Sequence, residues 1–370
     1  MSSKYSFIKT MILLLLLFSA AMLIACFFQE KEAIKAKDTE TKFTLDSYLA
    51  RGIDRNREIE NDRLLLEKNK VKLKQRQAEQ EVDPSPLLLK KDELELELAQ
   101  QRLKRTTEEI ISEYLQDFLE FVRLKKLFTL HQEYVELFQA ELEKIENMHQ
   151  EGRVTSADVL QAEVELKAAE NNLIKSANNL ENQKFILEKN LQLSAEEKLE
   201  VQYYEEDFSE FEIKREFVDL QETARNNRLE IEESKADREL AKIDLQLAES
   251  NYRSGLEEKE AKIEYRKAKN EVDKILDDIE VEVKNSYSRA NNVRKDLAMT
   301  EKEIENYKEI VRINSLFLEE EYITGVEFWD SQVDLYQAEI DDISRRFESY
   351  IAVVELYLAT GELKEMFIHE

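Results

Sequence analysis

The chain has 370 residues, a net charge of −27, and only 5 Gly and 2 Pro. So few breakers exclude a loop-rich domain, and the lack of any long basic run excludes a nucleic-acid face. Charged residues make up 36 %, which suits long helices and coiled coils, while 42 % hydrophobic content with 17 Phe and 14 Tyr is too much for a disordered chain. The acidity reads in two ways, as a solvated surface that keeps extended helices soluble or as the lining of an acidic pore.

Residues 1–26 read MSSKYSFIKTMILLLLLFSAAMLIAC. Lys4 and Lys9 form a short positive start, and the apolar run at 11–24 suits a signal sequence better than a membrane span of ~20 residues. It ends at Leu23-Ile24-Ala25-Cys26, which holds the only cysteine. This resembles a bacterial lipobox, which implies cleavage before Cys26 and lipid on its sulfur; a plain signal anchor with an incidental cysteine is the other reading. No second cysteine exists for a disulfide, so stability must come from packing. Cleavage removes Lys4 and Lys9 and takes the net charge from −27 to −29.

Residues 26–43 read as a polar tether. A helix is expected from about Leu45 to Gln80, broken by VDPSP at 82–86. A second helix runs from near Leu88 to about His149. ELELEL at 93–98 alternates like a strand, but its flanks are helical and the helix reading prevails. Ile111, Leu115, Phe118 and Val122, then Tyr134, Phe138, Leu142 and Ile145, mark one helical face. About 60 residues of helix span ~90 Å, so this stripe needs a helix as its partner. Gly152 reads as the cap of the incoming helix and Ser156 as the N-cap of the next. In the return helix Val159, Leu166, Leu173, Leu180 and Leu187 recur every seventh residue, with Ala162 and Ala169 allowing close approach. The segment 151–156 is therefore expected to be the tip of a long αα-hairpin.

Residues 203–217 read as a connector, with a short strand at LEVQYY, and then the cycle repeats. LARGIDRNREIE at 49–60 is echoed by QETARNNRLEIE at 221–232, 172 residues on (56 to 228), and Gly325 follows Gly152 by 173. Two landmarks at nearly one spacing indicate an internal duplication. Gly255 stands where VDPSP stands in the first half. The last helix carries Tyr336, Ile340, Ile343, Phe347, Tyr350 and Val354 on one face and ends at Gly361.

On these features the chain resembles the outer-membrane efflux proteins, the TolC-like family, over about residues 43–363. Gly152, Val154, Thr155, Ser156, Asp158, Leu160 and Ala162 fit the family's tip pattern; Gly325, Val326, Asp330, Val333 and Leu335 fit it loosely, with Phe328 and Trp329 where small residues are usual. The resemblance implies a homotrimer whose helices close a tunnel, an adaptor contacting the tips at Gly152, Val154, Ser156, Gly325 and Val326, and an inner-membrane pump. A plain hairpin turn is the alternative for both tips. The family also inserts a strand pair in each half. A membrane strand needs ~9–11 residues, and neither break has room for two, so no β-barrel is expected.

The other chemistry is thin. Glu146 and His149 have di-iron spacing, but neither His131 nor His369 has a Glu three residues before it. There is no phosphate loop or catalytic triad, so no enzyme, metal or cofactor is expected. Trp329 reads as core or as a tip contact. Glu319, Glu320, Glu321 and Glu327 read as a solvated tip or as a cation-selecting ring. The expected fold is all-α, two duplicated long antiparallel hairpins forming a TolC-like α-barrel protomer without the membrane β-barrel. Its expected parts are a signal peptide at 1–25, a lipidated tether at 26–43, a first repeat at 44–200, a connector at 201–216, a second repeat at 217–363 and a tail at 364–370. The leading function is a lipid-anchored export component in the cell envelope, facing the periplasm from the outer membrane; in a single-membrane cell the lipid would sit in the outer leaflet of the cytoplasmic membrane. A non-transport coiled-coil lipoprotein, a spacer or scaffold, is the alternative.

Overall fold

The computed structural model describes residues 40–79, 85–194, 197–204, 208, 211–213, 215–250, 255–320 and 322–367. They divide into two units. In the smaller, β1 (Glu40–Phe43) pairs in parallel with β2 (Lys198–Val201), in the register Glu40 to Lys198 and Phe43 to Val201. The last residues of the expected tether are thus a strand, and β2 occupies the start of LEVQYY.

The larger unit holds the helices: α1 (Leu45–Arg55), α2 (Arg57–Glu79), α3 (Pro86–Gln150), α4 (Ser156–Asn190), α5 (Phe217–Asn227), α6 (Leu229–Ser250), α7 (Gly255–Glu319), α8 (Gly325–Thr360) and α9 (Leu363–Phe367). Residues 93–98 are helical within α3. The expected tail begins with α9, whose Leu363 and Phe367 are buried. Phe367 lies 4.9 Å from the Phe211 ring of the connector, so Phe211 packs on α9. Among the described residues no helix is long and apolar enough to cross a membrane.

The duplication is visible helix by helix. α1 and α5 have 11 residues each, α2 and α6 have 23 and 22, α3 and α7 have 65 each, and α4 and α8 have 35 and 36. The one helix expected over 45–80 is broken at Asn56. Its Oδ1 accepts from the Glu58 and Ile59 amides at 2.8 and 3.1 Å, which caps α2, and its Nδ2 donates to Tyr114 Oη at 3.0 Å. The matching break at Arg228 is held by charge. Its guanidinium donates to Ala359 O at 2.9 Å and to Glu230 at 2.8 Å; burial opposes its charge, but the hydrogen bonds to Glu230 and Glu282 keep it firmly protonated.

Equivalent helices start 172 residues apart before the second break (45 to 217, 57 to 229) and 169 apart after it (86 to 255, 156 to 325). The difference of three arises because α6 is one residue shorter than α2 and the break after it two residues shorter. Six residues separate α2 from α3 and four separate α6 from α7. A membrane-spanning strand pair needs about 20, so neither break can hold one.

The long helices lie side by side. In the half carrying the turns the order is α4, α3, α8, α7; in the other half it is α2, α3, α6, α7. Helices α3, α6 and α8 are therefore flanked on both sides, whereas α2, α4 and α7 form the edges.

Candidate interface at the turns and the open helix edges

The first turn is built from backbone geometry. Gly152 has φ +76°, a left-handed conformation that costs glycine nothing. Its N–H donates to His149 O at 2.9 Å and the Arg153 N–H to Met148 O at 2.9 Å, the Schellman arrangement that satisfies the last carbonyls of α3. The N-cap of α4 is Thr155 rather than Ser156. Its hydroxyl accepts from the Asp158 N–H at 3.3 Å, and Asp158 accepts from the Thr155 N–H at 2.7 Å, a capping box. The Thr155 amide and then its hydroxyl hold the Asp158 carboxyl below its ordinary range.

The second turn repeats the cap but not the glycine. Thr324 caps α8 through Glu327 in the same box, and Tyr322 N–H donates to Phe317 O at 2.8 Å, matching Arg153 and Met148 at the 169 offset. Gly325 is thus the first residue of α8 and the counterpart of Ser156, not of Gly152. The residue at Gly152's place is Glu321, outside the described residues. A Cβ on Gly325 would sit 3.0 Å from Met148 Sδ, so this residue packs closely against the end of α3.

The sequence-derived contact residues divide by exposure. Gly152 and Ser156 are exposed, Val326 is half-buried, and Val154 and Gly325 are buried. Met148 brings the two turns together, since it ends α3 and touches the start of α8. Cys26 lies outside the described residues. His149 is used structurally, its Nδ1 lying 3.0 Å from Val154 O, while Glu146 is exposed; among the described residues no acidic, histidine or cysteine group could hold a metal.

Beneath the turns lies an aromatic core. Trp329 stacks on Phe138 at 4.7 Å, and its indole N–H donates to Glu165 of α4. Tyr134 lies over Tyr336 at 4.4 Å and donates to Glu339 at 2.9 Å. Trp329 is core, not a tip contact. The leucine seam of α4 is mostly a flank: Val159, Leu166 and Leu173 are half-buried against this core and Leu180 is half-buried, and only Leu187 is fully buried, whereas Ala162, Ala169, Ser176 and Gln183 are all buried along the same helix. Gln183 reaches Asp117 O at 3.0 Å.

The edges carry what sequence reading missed. Leu64 and Val71 on α2, Leu160, Val164, Ile174 and Phe185 on α4, and Leu256, Ile263, Val281, Met299 and Phe317 on α7 are large, apolar and exposed, while none of the described residues of α3, α6 or α8 is both. Ile186 on α4 and Leu316 on α7 are exposed as well, but their repeat counterparts are the polar Glu355 and Asn147. Each of the other eleven has a packed or buried counterpart in the other repeat. At offset 172, Leu64 and Val71 map onto Ala236 and Ile243 of α6, buried against α3. At offset 169, the four residues of α4 map onto Trp329, Val333, Ile343 and Val354 of α8, all packed in the interior. Those of α7 map onto Leu87, Leu94, Ser112, Leu130 and Met148, packed or buried on α3. The exposed edges are the repeat's copy of the seam that joins the two halves inside the chain. Applying the repeat offset to the apolar residues of the outer helices would have found them.

No protein-family model matches the sequence, and no curated protein does. Solved structures match. The chain is similar to CusC, in structures described as showing transmembrane channel formation, with TM-score 0.73, 10 % identity and coverage of 86 % of this chain and 92 % of that one. It is similar to the CmeC outer membrane channel of Campylobacter jejuni, with TM-score 0.72, 10 % identity and 86 % of each chain covered. It is likewise similar to the MtrE outer membrane channel of Neisseria gonorrhoeae, with TM-score 0.71, 11 % identity and coverage of 86 % and 88 %. These are channel proteins, not enzymes, and at such identities the likeness is one of fold: the chain has a fold resembling that of TolC-like proteins.

Proposed function

We propose that the chain is a TolC-like export component, a passive helical conduit closed by edge-to-edge association of copies. The observation that carries this is the repeat equivalence of the open edges. Within one chain α8 packs on α3; under the repeat, α4 stands to an α7 as α8 stands to α3, and the only α7 free to take it belongs to another copy. An interface between two different faces is heterologous and closes into a ring where the rotation allows. The lipobox-like stretch implies lipid at Cys26. The family resemblance implies three copies, an outer-membrane location facing the periplasm, an inner-membrane pump as the energy source, and an adaptor meeting the turns around Gly152, Val154, Ser156, Gly325 and Val326. Of these five, the exposed Gly152 and Ser156 and the half-buried Val326 offer surface, while Val154 and Gly325 support the turns from beneath.

A second reading, a spacer or scaffold lipoprotein, is favoured by one observation. The breaks of six and four residues leave no strand pair with which this chain could build its own membrane pore. Light scattering on the chain from residue 26 onward, carrying Cys26→Ser, separates the two. A trimer that Phe185→Glu converts to a folded monomer supports the conduit. A monomer at all concentrations, or a trimer indifferent to Phe185→Glu and Met299→Glu, sinks it and moves the scaffold ahead.

A further inference from the structure

The two hairpins meet near the turns through α3 and α8, and that seam contains one titratable base. His131 of α3 is 7 % exposed. Its Nδ1 lies 2.5 Å from Tyr336 Oη of α8, and the two rings meet edge-on at 5.7 Å. This contact ties α3 to α8 within the aromatic core.

A second proton on His131 would place an imidazolium in a buried seam, a costly state without a carboxylate partner. Among the described residues no carboxylate forms an ion pair with His131, and burial is the only cause acting on its ring. On α3 the neighbour one turn on is Tyr134. On α8 they are Tyr336 and Glu339, the latter engaged by Tyr134 and lying 3.5 Å from Lys308 of α7. On α4 they are the uncharged Asn172 and Glu165, which accepts from the Trp329 indole. Burial alone lowers the basicity of the ring.

We propose that His131 is an acid-triggered release between the two hairpins: its protonation charges the buried contact with Tyr336 and lets α8 part from α3 near the turns. The sign follows from which state binds the proton first. The ring titrates below its ordinary value of 6.5 while packed, so the parted state takes up the proton first. The seam is at full strength above that value and weakens as pH falls below it. The device belongs to a single chain and does not depend on ring closure.

Trp329 is the only tryptophan in the chain and sits in the same aromatic core, so its emission reports on this seam. The test is a fluorescence titration of the Cys26→Ser chain from residue 26 onward, between about pH 8 and pH 5, a range in which histidine changes charge and ordinary carboxylates largely do not. Expected are a red shift with a midpoint below 6.5 and unchanged helical circular dichroism. His131→Asn keeps an acceptor near the place of Nδ1 and does not titrate, so its emission should stay flat. Flat wild-type emission overturns the proposal, as does an equal shift in His131→Asn, which would assign the change to Glu165 or Asp330. Should His131→Asn fail to fold, proton NMR of the three wild-type histidines decides. One ring titrating well below the other two supports the release, and three titrating together at the ordinary value overturn it.

Discussion

The two return helices, α4 and α8, begin with the same capping box and differ by one residue in length, yet they live in different surroundings. Trp329 is 2 % exposed on α8, while its repeat counterpart Leu160 is 60 % exposed on α4. Phe185, 58 % exposed, corresponds to Val354, which is fully buried. The sequence of α4 retains apolar residues at positions that its own chain leaves open. Scattered exposed apolar residues need no explanation, but a set that coincides with the buried face of a duplicate does. The difference between the helices is one of place, edge against interior, rather than of design.

That contrast can be broken at its strongest point. Trp329→Ala should cost about 3–5 kcal/mol, as removal of a buried aromatic does, and Leu160→Ala less than ~0.5 kcal/mol in the dissociated chain, as an exposed substitution does. Denaturant unfolding under dissociating conditions reads both, and equal losses would erase the distinction between edge and interior. Next in size is the α4 seam. Ala169→Asp puts an unpaired charge at a fully buried position and should cost about 3–5 kcal/mol. Leu173→Asp, half-buried on the flank, should cost about half of that, because water reaches part of the new charge. A reversed order would restore the leucines as the seam's centre.

The joints where short and long helices meet give a second contrast between the halves. In the first, Gly52 is small because a Cβ there would fall 2.5 Å from the Tyr114 ring; in the second, Ala224 faces the smaller Val283, and both are buried in one cluster. The first half pairs Tyr48 with Asn190 at 2.9 Å, whereas the counterparts are Leu220 and Ala359, a dry contact. The polar joint includes Asp117, which accepts from Asn190 at 2.7 Å and whose carboxyl is pushed up by burial, against the donations of Asn190 and Gln183. A raised carboxyl binds its proton more readily folded than unfolded. This group therefore adds stability as pH falls through its folded value, and that addition is absent well above it. Asp117→Asn should leave a stability curve that is flatter at and above the ordinary carboxylate value. An unchanged slope would mean that Asp117 does not carry the joint's pH response.

Much of this architecture was legible, and the reasons differ by feature. Long helices follow from the scarcity of Gly and Pro, the hairpin tip from Gly152 and the threonine cap, and the duplication from two echoed stretches. The break at Asn56 was missed because no Pro or Gly marks it; an Asn that caps its own downstream helix looks from sequence like an ordinary helical residue. The strand at 40–43 and the burial of Phe367 were missed because each depends on a distant partner, β2 in one case and Phe211 in the other. The seam of α4 was misread because heptad leucines are the loudest signal, while Ala162, Ala169, Ser176 and Gln183 share the same period more quietly. His131 was weighed only as a metal ligand, since its partner Tyr336 lies on another helix.

The smallest contrast is between the two turn glycines, and it tests the alignment of the repeats directly. If Gly152 and Gly325 were equivalent, replacing either with Ala would cost the same. The structure separates them. Gly152 is left-handed at φ +76°, so Gly152→Ala should cost about 1–2 kcal/mol in backbone strain. Gly325 lies in the first turn of a helix, where Ala is at least as well tolerated, and a Cβ asks only that Met148 Sδ move by a few tenths of an ångström. Gly325→Ala should therefore change stability by less than ~0.5 kcal/mol. The threonine caps should behave as true equivalents. Thr155→Ala and Thr324→Ala should each cost about 1 kcal/mol, and because Asp158 and Glu327 are both held below their ordinary range by these caps, both contributions should fade as pH falls below the ordinary carboxylate value. Thermal unfolding of the four variants at neutral pH gives the pattern: one large loss at Gly152, none at Gly325 and two equal losses at the caps place the repeat offset at 169, whereas equal losses at both glycines would return it to 173.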